Sequence, residues 1–301
     1  MMSPQRLGTT LSVLTIAALL ATTVVGQKQS SSENLFEYDR SATLDVKEVS
    51  SREQDGITIR DLNFASSNPE HKRVDAYLVS PKGTGKFAGV LFFHWLGDVK
   101  SDRNEFLDEA IALAKRGTVS LLMQGYFPWA KQPSEAQQDR HQIINQVIEV
   151  RRALDLLLTQ PNIDSKRIGF VGHDYGAMYG SLVSGIEKRV KTFVFLTAHP
   201  RFSDWSLKYW PVTAKAGEEV YRSTVGELDP VNYVSHAAPA SQLFQFATQD
   251  KYIDRAAATT FYDAATKPKE IKWYETIHQL NVPAAKSDRE AWLVKELKLT
   301  K

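Results

Sequence analysis

The sequence predicts a single α/β domain whose mostly parallel central sheet is covered by helices on both faces. Three observations predict it. The continuous apolar run of residues 88–93 and the largely apolar stretch 119–123 read as strands buried on both sides. Stretches with apolar residues at helical spacing alternate with these runs along the chain. Gly117 and Pro161 stand where such helical stretches end. The 301 residues suffice for one large core, and 43% hydrophobic with 24% charged residues is globular composition.

Taken in order, residues 1–26 read as a signal peptide. Arg6 marks a short basic region, residues 11–25 are apolar and uncharged, and small residues precede polar Gln27. A secreted or periplasmic location is therefore expected, with no stable membrane insertion after cleavage. Residues 27–45 open with a polar, Ser-rich tract and are expected to be a flexible segment. Residues 46–301 are the folded domain. Residues 56–64 and 74–79 alternate apolar and polar about a turn at Asn68-Pro69, as an antiparallel hairpin at one edge of the sheet. Strand 88–93, helix 102–116 and strand 119–123 follow, then a long helix over 134–159. Strand 168–171, helix 175–186 and strands 190–196, 243–247 and 271–274 precede a closing helix at 289–297.

A net charge of +2 without a basic cluster argues against nucleic acid or an anionic membrane as a partner. The absence of cysteine removes disulfides, thiol nucleophiles and cysteine-ligated metals. His71 falls in a polar turn, His141 on a helix, and His173 is expected to pack; His199 and His236 have no ligand-spaced partners, so neither a metal nor a cofactor is expected.

The chemistry is concentrated at Gly172-His173-Asp174-Tyr175-Gly176, where a short apolar strand runs through Gly-x-Asp-x-Gly into a helix. A reactive side chain on such a turn is lifted clear of the sheet, and the helix N-terminus behind it favours negative charge. A plain helix cap is the simpler role for Asp174. The segment resembles the nucleophile elbow of the α/β-hydrolase superfamily, and the likeness covers most of the domain. The approach through Asp164-Ser165-Lys166-Arg167 resembles the dienelactone hydrolase-like branch. The His-Asp-Tyr triplet is closer to epoxide hydrolases and haloalkane dehalogenases, which use an Asp nucleophile.

The resemblance implies the order nucleophile, acid, histidine. Asp250, at the carboxyl end of strand 243–247, is the expected acid, with Asp254 as the alternative; His278, after the last strand, is the expected base. The oxyanion loop of the superfamily falls at His94-Trp95, which makes the N–H groups of Trp95 and Tyr175 the expected donors. The Trp95 indole is an alternative halide ligand. Tyr126 and Trp129, together with Phe202, Trp205, Tyr209 and Trp210, are expected around an apolar pocket. Only residues 198–240 are available for a cap, which implies a short one; Tyr209 and Tyr221 are its candidate proton donors.

The resemblance implies a hydrolase of a small organic substrate with the triad Asp174, His278 and Asp250. Ester or lactone hydrolysis, epoxide or carbon–halide cleavage through an alkyl-enzyme ester, and an inactive binding protein of the same fold all remain open on the sequence.

Overall fold

The computed structural model describes residues 1–2, 33–96, 103–127, 135–210 and 217–300. Residues 3–26 of the expected signal peptide and Trp129 lie outside the described residues. A nine-stranded sheet runs in the order β1-β2-β3-β5-β4-β6-β7-β8-β9. Strands β1 (Lys47–Gln54), β2 (Ile57–Ala65) and β3 (Arg73–Pro81) are antiparallel neighbours, and β3 is antiparallel to β5 (Thr118–Met123). From β5 through β4 (Phe87–Phe93), β6 (Ile163–His173), β7 (Thr192–Leu196), β8 (Ser241–Ala247) and β9 (Lys269–Tyr274), every pairing is parallel.

The period-2 geometry of the strands divides their apolar residues between two cores. Along β4, Ala88, Val90 and Phe92 face one core, while Leu91 and Phe93 face the other. Helices α1 (Leu107–Ala114) and α8 (Pro283–Glu296) cover the first face. Helices α2 (Ala136–Leu158), α3 (Tyr175–Ile186) and α7 (Arg255–Ala264) contribute to the second. Each fully buried phenylalanine, such as Phe170, Phe193 or Phe244, contributes roughly 1.5–3 kcal/mol by leaving water. Residues 198–240 hold α4 (Phe202–Tyr209), α5 (Glu218–Val225), a 3-10 turn at Gly226–Leu228 and the single turn α6 (Val231–Val234). Among the described residues no helix is long and apolar enough to cross a membrane.

Two expectations need correction. The hairpin is not the sheet edge, because β1 pairs outside it; all eight residues of β1 are exposed, so no apolar alternation announces the strand. The flexible segment does not extend through residues 35–45. Phe36 is fully buried, the Arg151 guanidinium donates to its carbonyl at 2.6 Å, and the Tyr38 hydroxyl donates to Asp155 at 2.7 Å. A side chain anchored in the core ties this stretch to α2.

Candidate active site

Strand β6 ends at His173, and α3 begins at Tyr175. Asp174 between them has φ 51° and ψ −116°, a conformation that costs a non-glycine residue about 1–3 kcal/mol. The flanking glycines make the turn possible. A Cβ on Gly172 would lie 2.5 Å from the Gly176 carbonyl oxygen, and one on Gly176 would lie 2.2 Å from that of Phe93. The strand, the helix and the end of β4 thus meet at backbone contact. The side chain of Asp174 makes no capping bond to α3, so the cap role does not account for it.

The Asp174 carboxylate is buried and asymmetric. Oδ2 accepts the Leu96 N–H at 3.3 Å, and the Tyr175 N–H lies near enough to favour the charged carboxylate. Oδ1 makes no hydrogen bond among the described residues and lies 3.8 Å from Nε2 of His278. Burial pushes the carboxyl above the usual range, against the opposing pull of His278, His173 and the two N–H groups.

His278 sits on the loop between β9 and α8, and its side chain is buried. Its Nδ1 donates to Asp250 Oδ2 at 2.8 Å, which turns Nε2 toward Asp174. Asp250 is held in turn by the N–H groups of Tyr252 and Ile253, at 2.8 and 3.0 Å on Oδ1. Asp254 caps α7 by accepting from the Ala257 N–H and takes no part in the cluster. Asp174, His278 and Asp250 therefore stand together in the arrangement expected from the sequence.

The loop after β4 differs from expectation. The Trp95 N–H points to Glu105 Oε2 at 2.8 Å, so the donors at Asp174 are Leu96 and Tyr175. His94 is a latch between loops: Nδ1 donates to the Trp95 carbonyl at 2.8 Å, and Nε2 accepts the Gly125 N–H at 2.9 Å. The Trp95 ring does reach the site, stacked 5.4 Å from His173 and 6.1 Å from His278. Tyr126 turns away: it stacks on His71 at 4.4 Å, and its N–H donates to Gln146. Phe127 takes the inward place, 5.7 Å from Tyr175 and 5.6 Å from His94.

Helix α4 lies over the triad. Trp205 stacks 6.5 Å from His278 and meets Tyr175 edge-on at 6.0 Å. Its indole N–H is buried and makes no hydrogen bond among the described residues. Tyr252 meets the other side of His278 at 5.0 Å. Beside Tyr175 is a narrow cleft lined by Asp139, Ile143, Tyr175, Tyr179, Phe202, Ser206 and Trp210. The Trp210 indole donates to the Tyr175 hydroxyl at 2.9 Å. Both cap tyrosines offered as proton donors are occupied: Tyr209 donates to the Tyr252 carbonyl, and Tyr221 donates to Asp139.

Solved structures share this architecture. Over 88% of this chain and 92% of its own, the acetyl xylan esterase of Paenibacillus sp. R4 superposes with a TM-score of 0.71 at 16% identity. Acetyl xylan esterase 1 of Thermoanaerobacterium sp. JW/SL YS485 gives 0.69 at 16% identity, over 88% and 91%. A cold-adapted esterase from an Arctic intertidal metagenomic library gives 0.60 at 14% identity, over 82% and 97%. The chain has the α/β-hydrolase fold. At such identities the likeness is one of fold, and function rests on the site itself. No protein-family model and no curated protein sequence matches the chain.

Proposed function

We propose that this chain is an exported hydrolase of small organic molecules in which Asp174 is the nucleophile, His278 the base and Asp250 its orienting acid. The asymmetry of the Asp174 carboxylate carries the reading. Oδ2 accepts the Leu96 N–H, while Oδ1 is unbonded among the described residues and faces Nε2 of His278. A carboxylate is a poor nucleophile toward an ordinary ester, because the product is an anhydride that reverts. It is suited to a saturated electrophilic carbon.

In this reaction Oδ1 forms a bond to carbon, and the leaving group departs with the bonding electrons, giving an alkyl ester of Asp174. His278 Nε2 then takes a proton from water, and the hydroxide attacks Cγ. Negative charge collects on Oδ2, where the Leu96 and Tyr175 N–H groups receive it. Collapse breaks the Cγ–Oδ1 bond, His278 gives its proton to the departing alkoxide to release the alcohol, and the proton left on the new Asp174 carboxyl passes to solvent, restoring the carboxylate. The buried indole N–H of Trp205 is the candidate donor to the leaving group. The occupied hydroxyls of Tyr209 and Tyr221 favour a carbon–halide bond over an epoxide, whose opening oxygen needs a proton donor.

The esterases that share the fold support a second reading, in which the substrate is an ester or lactone and Asp174 acts as base or electrostatic group. Single turnover in ¹⁸O-water separates the two. Covalent catalysis puts unlabelled oxygen into the first product molecule and labels Asp174. Direct attack of water labels the product and leaves Asp174 unlabelled, which would exclude the nucleophile role.

A further inference from the structure

Behind the triad lies a pair that the reaction above does not use. Glu105 precedes α1, and its side chain is mostly buried, 19% exposed. Its Oε2 accepts the Trp95 N–H at 2.8 Å, and its Oε1 faces His173 Nδ1 at 2.5 Å. His173 is the residue just before Asp174 and is buried. Its Nε2 lies 3.1 Å from the carbonyl oxygen of His278, which also accepts the Thr197 hydroxyl at 3.3 Å. The imidazole of His173 stacks on Trp95, with 12° between the planes, and its centroid is 5.6 Å from that of His278.

Hydrogen-bond chemistry fixes the charge. A carboxylate and a carbonyl oxygen only accept, so both ring nitrogens of His173 must carry a proton. An ordinary packed histidine needs a donor on one side. Burial disfavours this imidazolium, yet the Glu105 carboxylate outweighs burial and holds it above the usual histidine range. The same balance holds Glu105 below the usual carboxylate range. The charged or titratable groups facing His173 are Glu105 from the segment before α1, Asp174 from the elbow and His278 from the last loop, with His94 beside Glu105.

Such a pair is a poor source of stability, because desolvating two charges offsets most of their attraction. Its connections indicate another role. It touches the residue before the Leu96 donor, the residue before the nucleophile and the backbone of the base.

We propose that Glu105 and His173 are positioning residues: their buried ion pair ties the Trp95–Leu96 loop, the elbow and the His278 loop into one rigid unit and places a fixed cation beside Asp174. This rests on the hydrolase reading for its effect on turnover. The pair itself does not depend on that reading.

The test uses the full-length protein with ¹⁵N-labelled histidine, plus the variants Glu105→Gln, His173→Gln, the double variant and the conservative Glu105→Asp. In the wild type, ¹⁵N NMR should find His173 protonated on both nitrogens from pH 6 to 8. In Glu105→Gln it should lose one proton within that range. These signals need no substrate, so they decide the pair even where no substrate turns over and the hydrolase reading fails. With an accepted substrate, Glu105→Gln and His173→Gln should each lower kcat by about 10–100-fold with KM nearly unchanged, since small displacements of reacting groups act on the chemical step. Each should also move the acid limb of the pH profile upward, because without the cation Asp174 keeps its proton to higher pH. The double variant should be no worse than the poorer single variant, and Glu105→Asp should recover part of the loss. A singly protonated His173 at pH 7 in the wild type overturns the proposal. So does a folded Glu105→Gln with wild-type kcat and pH profile.

Discussion

Replacing Asp174 by Asn isolates the energetic cost of the buried charge. The side chain keeps its shape, and the amide oxygen can still accept from the Leu96 and Tyr175 N–H groups. The negative charge is lost, and the unbonded Oδ1 is replaced by an amide NH2 that faces Nε2 of His278 and can donate to it. A buried polar atom left unpaired costs about 1–3 kcal/mol, more when charged. The lost attraction of His173 and His278 offsets part of the relief, so a net gain of roughly 1–2 kcal/mol is expected. For a domain of this size that is a rise in melting temperature of roughly 2–8 °C.

The gain must depend on pH with a definite sign. Folding raises the Asp174 pKa, so the folded state binds a proton more readily than the unfolded chain. Wild-type stability relative to the variant therefore increases as pH falls through the raised pKa, and the cost is fully present above it. Thermal unfolding at pH 8 and pH 4 measures both. Asp174→Asn should be the more stable protein at pH 8, and the gap should shrink at pH 4. A variant less stable than wild type at pH 8, or a gap of equal size at both, would refute the reasoning.

Other expectations follow from individual contacts. Asp250→Asn removes the partner that fixes the His278 tautomer and should lower kcat by on the order of 10³–10⁴-fold, whereas Asp254→Ala should leave turnover intact and cost about 0.5–2 kcal/mol through the lost α7 cap, as urea unfolding will show. Gly176→Ala should destabilise by about 3 kcal/mol or more or prevent folding, because its Cβ meets backbone rather than a side chain that can move; expression and circular dichroism report this. His71 faces Glu149 at 2.9 Å and the Arg73 carbonyl at 3.0 Å, and although burial works against it, Glu149 raises its pKa. Its stabilisation is present below the unfolded pKa and lost as pH rises through the folded one. His71→Gln should therefore be less stable than wild type at pH 5.5, by up to about 1 kcal/mol given its partial exposure, and nearly equal at pH 9.

What was legible in the sequence is what local chemistry forces. Gly172 and Gly176 are readable because no other residue fits where strand, helix and β4 touch. Asp250 and His278 are readable because parallel strands deliver their carboxyl-end loops to one edge, and chain order distributes the roles. The missed features depend on contacts between distant segments. Trp95 was expected to donate where Leu96 does, because Glu105, ten residues on, captures the Trp95 N–H and sets the path of the loop. Tyr126 was expected inward where Phe127 is; at the end of a strand a shift of one residue reverses the face, and stacking on His71 from the β2–β3 turn decides it. Strand β1 carries no apolar pattern because both its faces are exposed and it is held by the backbone ladder and by polar pairs such as Glu48 with Arg60. His173, expected to pack, bonds two acceptors that come from segments 68 and 105 residues away.

The central claim is that the reaction passes through an ester on Asp174. Intact-mass spectrometry of His278→Gln, incubated with haloalkanes, epoxides, aryl esters and lactones, tests it most directly, because removing the base stalls the second step. The account predicts a stable alkyl adduct that peptide mapping places on Asp174, with a mass that names the substrate. An unmodified protein after incubation with compounds that the wild type turns over would contradict it.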